Sequence, residues 1–213
     1  TQVTALLDES ALRERIANLL RGGVDGIVFV GFPRTMADGE GHGVSPVDAL
    51  SVFRDQVPNR GAILIPTRSE ELGRFRFKCS KGANFALTQL LYSDHVVHLL
   101  SEFSRESRDR PEILLSFGFV PKIETRVKLI RWLVQDPGNA LVEAEHAFIE
   151  QLAEASLAEK RLALLDLYKR VVDGVGELGF PMSIHLETPY GFSKAAFETF
   201  AEMLDYWLSL IHI

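Results

Sequence analysis

The sequence predicts an α/β chain wound on a parallel sheet. Short apolar runs at residues 26–30, 85–92 and 112–117 alternate with amphipathic stretches whose apolar side chains recur at helical spacing. Six strand and helix units follow one another at about 30 residues apiece, the length of one βα repeat. Of 213 residues, 46% are apolar and 24% charged, which suffices for one to two ordinary globular domains.

The first strand is expected at residues 3–7. Asp8 is placed to cap the helix behind it, whose Leu12, Ile16, Leu19 and Leu20 share one face before Gly22-Gly23 ends it. The second strand is residues 26–30. A long glycine-bearing loop, 31–44, leads to the start signal Ser45-Pro46-Val47-Asp48, with Val47, Leu50 and Phe53 turned to the core. The third strand, 62–66, precedes a helix over 69–81 that Gly82 closes. The fourth, 85–92, is followed by Ser93 as the cap of a helix carrying Val96, Val97, Leu100 and Phe103, which runs out in the charged residues 105–110. The fifth strand is 112–117. After Pro121 the pattern gives a helix with Val127, Ile130, Leu133 and Val134, a break at Asp136-Pro137-Gly138, and a helical region over 141–178 long enough for two helices. The sixth strand, 181–186, precedes a last helix from Ser193 carrying Phe197, Phe200, Leu204 and Trp207.

Six units are two short of the eight that close a (β/α)8 TIM barrel of ~250 residues. The chain starts at Thr1 and reads at once as a strand, so residues 1–207 are expected to form a partial TIM barrel, units three to eight, cut on its N-terminal side. Residues 208–213 are expected to be a tail outside that domain; the run Ser209-Leu210-Ile211-His212-Ile213 resembles translated sequencing-adapter read-through and carries no function in this reading. A flavodoxin-like sheet is the rival architecture, but it needs a phosphate loop after its first strand. Residues 8–10 are too short for one and contain no glycine.

Charge and composition narrow the functional class. With 23 basic against 29 acidic residues the net charge is -6, which leaves no broad basic field for nucleic acid. No apolar run approaches the ~20 residues that cross a bilayer. One cysteine, Cys79, makes neither an internal disulfide nor a cysteine-rich zinc site. A cytoplasmic protein is expected, with a small-molecule substrate and no metal, nucleic acid or membrane partner. Strand edges left open by a partial barrel favour a homo-oligomer.

In a barrel the chemistry lies at the C-terminal ends of the strands. The polar residues there are Thr4, Gly31 with Arg34, Thr67 with Arg68, Thr88 with Gln89, Lys122, and His185 with Glu187. Gln89 ends the apolar run Phe85-Ala86-Leu87 with an amide that donates and accepts, a group suited to the mixed edge of a heterocycle or to the backbone of a neighbouring strand. His185 and Glu187 are two apart and so share one face of the last strand. Either could exchange protons with a substrate; alternatively His185 is a hydrogen-bonded core group and Glu187 pairs with Arg68, Lys122 or Arg126. The glycines at 39–43 form a loop without the lysine or serine of a P-loop. His95 and His98 lie three apart on a helix with no third metal ligand in sight.

The stretch Lys78-Cys79-Ser80-Lys81-Gly82-Ala83-Asn84-Phe85-Ala86-Leu87-Thr88-Gln89-Leu90-Leu91-Tyr92 resembles the methylenetetrahydrofolate reductases, in which a lysine, then Gly-Ala-Asp/Asn-Phe, then Ile-Thr-Gln and aromatic residues follow in this order. The likeness continues in register. Thr1-Gln2-Val3-Thr4 is similar to that family's third barrel strand, residues 26–30 to its fourth, Gly118-Phe119-Val120-Pro121 to its Gly-Ile-Leu-Pro turn, and residues 181–187 to its eighth.

The resemblance implies reduction of 5,10-methylenetetrahydrofolate to 5-methyltetrahydrofolate with NAD(P)H, in one-carbon and methionine metabolism. It makes Gln89, with Thr88 and Thr4, the residues that bind reduced folate. Lys78 matches a lysine on the flavin side and, with Arg68, makes the expected cofactor set. Where the family has Arg-Gly-Asp after its fourth strand this chain has Gly31-Phe32-Pro33; where it has Tyr-Pro-Glu, this chain has Ile65-Pro66-Thr67; and Tyr-Thr-Leu-Asn-Arg is replaced by Leu186-Glu187-Thr188-Pro189-Tyr190. These departures resemble a flavin-free branch, without the FAD or FMN usual in the family, in which nicotinamide hands hydride to folate directly. The family's catalytic glutamate would lie on the first strand, ahead of Thr1, so the catalytic candidates in this chain are Glu187 and His185. Two other readings stand beside this one: a barrel lyase or isomerase with a substrate phosphate at the helix begun by Ser193, near Gly191 and Lys194, and an inactive folate-binding relative.

Overall fold

The computed structural model describes residues 2–4, 6–31, 43–119, 123, 128, 136–188 and 193–211. Six strands pair in parallel in the order of the sequence: β1 (Gln2–Val3), β2 (Gly26–Val30), β3 (Asn59–Leu64), β4 (Phe85–Thr88), β5 (Glu112–Gly118) and β6 (Met182–Glu187). Helices α1 (Glu9–Arg21), α2 (Pro46–Val52), α3 (Glu71–Ser80), α4 (His95–Glu106), α5 (Ala140–Glu154), α6 (Leu157–Glu177) and α7 (Lys194–Ile211) connect or follow them. Right-handed crossovers between strands taken in sequence put every helix on the same face of the sheet. This is a parallel α/β fold consistent with part of a barrel. Among the described residues β1 and β6 do not pair with each other, so each is an edge.

Register and burial identify the two faces. Ile27, Phe29, Ala62, Leu64, Ala86, Ile113 and Leu115 alternate along their strands and enter the two apolar clusters beneath the helices. The residues between them point the other way. Gly61 marks that inner face, since a Cβ there would fall 2.4 Å from the Phe85 ring and 2.8 Å from Val28 Cγ2. The absent side chain lets Phe85 lie across the neighbouring strand. On the helix side, Phe117 meets Tyr168 of α6 edge to face at 4.8 Å, and the Tyr168 hydroxyl donates to the Met203 carbonyl of α7 at 2.8 Å.

Helix starts follow the sequence signals closely. The Asp8 side chain accepts from the Ala11 N–H, and Ser45 accepts from the Asp48 N–H ahead of Pro46. The 141–178 region divides into α5 and α6, with the Ser156 and Glu159 capping box starting the second. Most of the helix expected over Val127 to Val134, residues 32–42 of the glycine-bearing loop with Arg34, and Lys122, Arg126 and Gly191 lie outside the described residues. Among the described residues no helix is long and apolar enough to cross a membrane.

Several boundaries differ from expectation for local reasons. The first strand ends at Val3, not residue 7: Thr4 still donates to the Val30 carbonyl at 2.9 Å, but the Leu7 N–H turns back onto the Thr4 carbonyl at 3.1 Å, and Leu6 is exposed. The third strand begins three residues early, at Asn59, where parallel pairing with Gly26 starts. The fourth ends at Thr88; Gln89 and Leu91 follow the sheet through bonds to the Leu64 carbonyl (2.8 Å) and the Ser116 carbonyl (3.0 Å). In α7 the packed face is Ala196, Phe200 and Met203, whereas Phe197 is 65% exposed and Leu204 44%. The apolar pattern of this helix covers two faces, and the sheet and α6 use one. It also runs to Ile211, through the 207/208 boundary expected from the sequence.

Ser93 does not cap α4. Asp94 occupies that position without a side-chain bond, and the Ser93 hydroxyl donates instead to Glu145 Oε1 of α5 at 2.8 Å. The Thr67 hydroxyl donates to Glu145 Oε2 at 2.9 Å. The buried carboxylate therefore ties the loops after β3 and β4 to a helix that follows β5. Asn139, which caps α5 through Leu141 N–H, adds a 2.6 Å bond from its amide to the Thr67 carbonyl. Burial raises the carboxyl pKa of Glu145, against the bonds from Ser93, Thr67 and the Tyr92 backbone, which lower it.

Two predictions follow from this architecture. With a folded pKa above its unfolded value of ~4.3, Glu145 contributes stability that is present below that value and is lost as pH rises through the folded pKa. The unfolding free energy of the wild type relative to Glu145→Gln should therefore fall as pH rises above about 4, measured by urea melts. Glu145→Ala, which orphans two hydroxyls, should cost about 2–4 kcal/mol. Open strands at both edges and the exposed Phe197, Leu204 and Leu208 should make residues 1–213 self-associate. Light scattering after size exclusion should give a mass above 23.8 kDa, and Phe197→Lys with Leu204→Lys should lower it; a monomer at all concentrations is the contrary result.

Candidate active site

Alternation carries particular residues to the inner face at the C-terminal ends of the strands. From Phe85 the inner positions of β4 and its extension are Leu87 and Gln89; from the Leu114 and Ser183 pairing, those of β5 and β6 are Ser116, His185 and Glu187. The β4 to β5 register is recorded as far as Leu87 with Leu114, and beyond it the Gln89 N–H bonds the Leu64 carbonyl of β3. Ser116 is paired with His185, so the two form a polar pair across β5 and β6. Glu187 stands one step nearer the strand ends. Of the expected residues, His185 and Glu187 share a face with Ser116, which the sequence did not single out, and Gln89 follows the end of β4.

Ser116 is held from both sides. Its N–H donates to Thr88 Oγ1 at 2.8 Å, its carbonyl accepts from Leu91 N–H at 3.0 Å, and its hydroxyl lies 3.4 Å from His185 Nδ1. His185 is exposed on the inner face, while Ser116 is buried. Glu187 is partly buried. It acts on Tyr92, whose buried phenol has no hydrogen-bond partner among the described residues and has its pKa raised, first by burial and then by Glu187 and Glu145.

The remaining expected residues lie elsewhere. Thr88 and Thr4 alternate to the helix side and are buried; Thr88 reaches the pair only by accepting from Ser116, and the Thr4 hydroxyl bonds the Val30 carbonyl at 3.5 Å. Lys78 lies between α3 and the sheet, its ammonium donating to the Ile63 carbonyl at 2.7 Å and to the buried Glu71 carboxylate at 2.9 Å. Arg68 lines a separate cleft of about 450 Å³ with Thr67, His95, Glu102 and Asn139. Lys78 and Arg68 therefore do not converge on one cavity. Glu71 and Ile63 already satisfy the Lys78 ammonium, so the described residues do not fit a flavin group held by Lys78.

Other candidates resolve into structural roles. Phe119 is a core residue. The rings of His95 and His98 are 5.9 Å apart, and His95 is lowered in pKa, mainly by burial and then by His98. Among the described residues no three metal-ligating side chains converge. Burial pushes the Cys79 thiol up to about 12, so it is neither a thiolate nor a nucleophile at neutral pH. At the start of α7 the Ser193 hydroxyl already accepts from Ala196 N–H, and Lys194 faces Glu198 at 3.7 Å.

The chain is similar in fold to a solved structure from Clostridium thermocellum, described as an uncharacterized protein that binds two copies of 5-methyl-5,6,7,8-tetrahydrofolic acid. The TM-score is 0.66 at 17% identity, covering 95% of this chain and 69% of that one. A search of curated proteins finds no match. Residues 1–209 match the family described as Mycobacterial methylenetetrahydrofolate reductase. That match takes in every strand of the described residues together with Gln89, Ser116, His185 and Glu187, and the chain accordingly belongs to the mycobacterial methylenetetrahydrofolate reductase family.

Proposed function

We propose that the chain carries the folate half of a methylenetetrahydrofolate reductase site, reducing 5,10-methylenetetrahydrofolate to 5-methyltetrahydrofolate with NAD(P)H. The observation that carries the reading is the inner-face pair of Ser116 and His185 with Glu187 beyond it, and Gln89 directly after β4, in a chain of this family. The Clostridium thermocellum protein of similar fold binds the expected product, which supports the ligand class. Gln89 offers its amide to the donor and acceptor edge of the pterin. Glu187 pairs with the guanidine-like edge, taking the part of a carboxylate that the family pattern has after its fourth strand. His185 is the nearest proton donor within the described residues. Thr88 acts from behind the pair by holding Ser116, and Arg68 is placed to meet the anionic portion of a dinucleotide in its own cleft.

The chemistry needs one proton and one hydride. Protonation of a bridging nitrogen opens the imidazolidine ring by breaking one carbon–nitrogen bond, and the resulting iminium carbon takes hydride to become a methyl group. Reduced nicotinamide supplies that hydride and leaves oxidised. The protein holds the pterin flat against the inner face and supplies position. We read the six strands as an arc of a (β/α)8 barrel whose two further units would cover β1 and β6 and bring the carboxylate that protonates the ring. We read the enzyme as independent of flavin.

Nicotinamide oxidation with methylenetetrahydrofolate tests the reaction on the full-length protein. Turnover supports the reductase, tight folate binding without turnover supports an inactive relative, and neither overturns the reading. Gln89→Ala should weaken folate binding by about 1–3 kcal/mol and leave nicotinamide affinity nearly unchanged. Equal losses for the two ligands would assign Gln89 a structural role. Purified full-length protein should be colourless and active without added flavin; near-stoichiometric flavin absorbance is the contrary result.

A further inference from the structure

His185 has two ring nitrogens in different surroundings. Nδ1 faces the buried Ser116 hydroxyl at 3.4 Å, and Nε2 has no partner among the described residues, on a ring exposed at the inner face. Ser116 cannot move away, because its backbone is bonded to Thr88 on one side and Leu91 on the other. A buried hydroxyl proton left without an acceptor costs more than an idle lone pair. Among the described residues, the only hydrogen-bond partner of this hydroxyl is Nδ1, and Nδ1 accepts only when the proton sits on Nε2.

We propose that Ser116 is a positioning residue that holds His185 as the Nε2–H tautomer, so that the imidazole presents a hydrogen-bond donor to an acceptor atom of the bound heterocycle. The proposal rests on the folate reading and names what this part of the site selects. A ring carbonyl opposite His185 is bound; a ring N–H there is repelled. Gln89, directly after β4 on the strand next to that of Ser116, carries both a donor and an acceptor and is assigned the adjacent atoms of the edge. Heterocycles that present a carbonyl next to an N–H fit the site, and those with the carbonyl replaced by an amino group do not.

Long-range proton–nitrogen spectra of the chain labelled with ¹⁵N-histidine read the tautomer directly, with His185→Gln identifying the signal. The wild type should show protonated Nε2 and a hydrogen-bonded acceptor at Nδ1. In Ser116→Ala the Nδ1 resonance should move to the position of an unbonded acceptor, and the Kd for 5-methyltetrahydrofolate should rise about five- to tenfold. Ser116→Thr, which keeps the hydroxyl, should restore both. A protonated Nδ1 in the wild type overturns the proposal, as does an unchanged Nδ1 resonance in a folded Ser116→Ala. If the spectra are as expected but the wild type does not bind the folate, the tautomer stands and the folate reading falls, together with the ligand assigned to the site.

Discussion

Parallel pairing of strands in sequence order is the constraint on which the rest of the molecule depends. Because parallel crossovers turn the same way, the helices fall on one face, and most of the buried apolar side chains from Leu12 to Met203 are gathered there. The opposite face carries less of the core. It holds the exposed His185 and the partly buried Glu187 without the full desolvation cost that polar groups meet under the helices. Several polar groups that lie on the helix side are tied off: Lys78 to Glu71 and Ile63, Thr88 to Ser116, Thr67 and Ser93 to Glu145.

The Glu145 cluster shows how the strand ends are held in place. Loops after β3 and β4 come from different units, and nothing in parallel sheet pairing by itself sets their relative positions. A carboxylate reaching back from α5 accepts one hydroxyl from each. Its burial is costly and its bonds are strong, which makes it a sensitive point as well as a secure one. Tyr92 lies within electrostatic reach of both Glu145 and Glu187, so the clamp and the candidate site meet at this phenol.

Much of the fold was legible from the chain alone. Six units, their order, the capping roles of Asp8 and Ser45, and the division of residues 141–178 into two helices follow from periodicity and short-range chemistry. Strand ends were less legible. Thr88 to Tyr92 keeps the composition of a strand after its ladder stops, and Leu6 and Leu7 are apolar residues in a turn. The helix face of α7 was mistaken because Phe197 and Leu204 continue an apolar period that only neighbouring elements could restrict.

For the site, sequence alone determined which residue types stand at strand ends, because a strand's length and alternation are local properties. Gln89, His185 and Glu187 were picked out as candidates in this way. Tertiary structure decided which of the others belong with them. Register between β4, β5 and β6 brought in Ser116, a small residue with no signal of its own, and placed Thr88 and Thr4 behind the sheet. Packing of α3 against β3 turned Lys78 into a structural ion pair with Glu71, and α5 delivered Glu145 across 78 residues to Thr67. Parity along one strand can be counted from the chain. The offset between strands, and the partner that consumes a charge, are set by contacts between residues far apart in it.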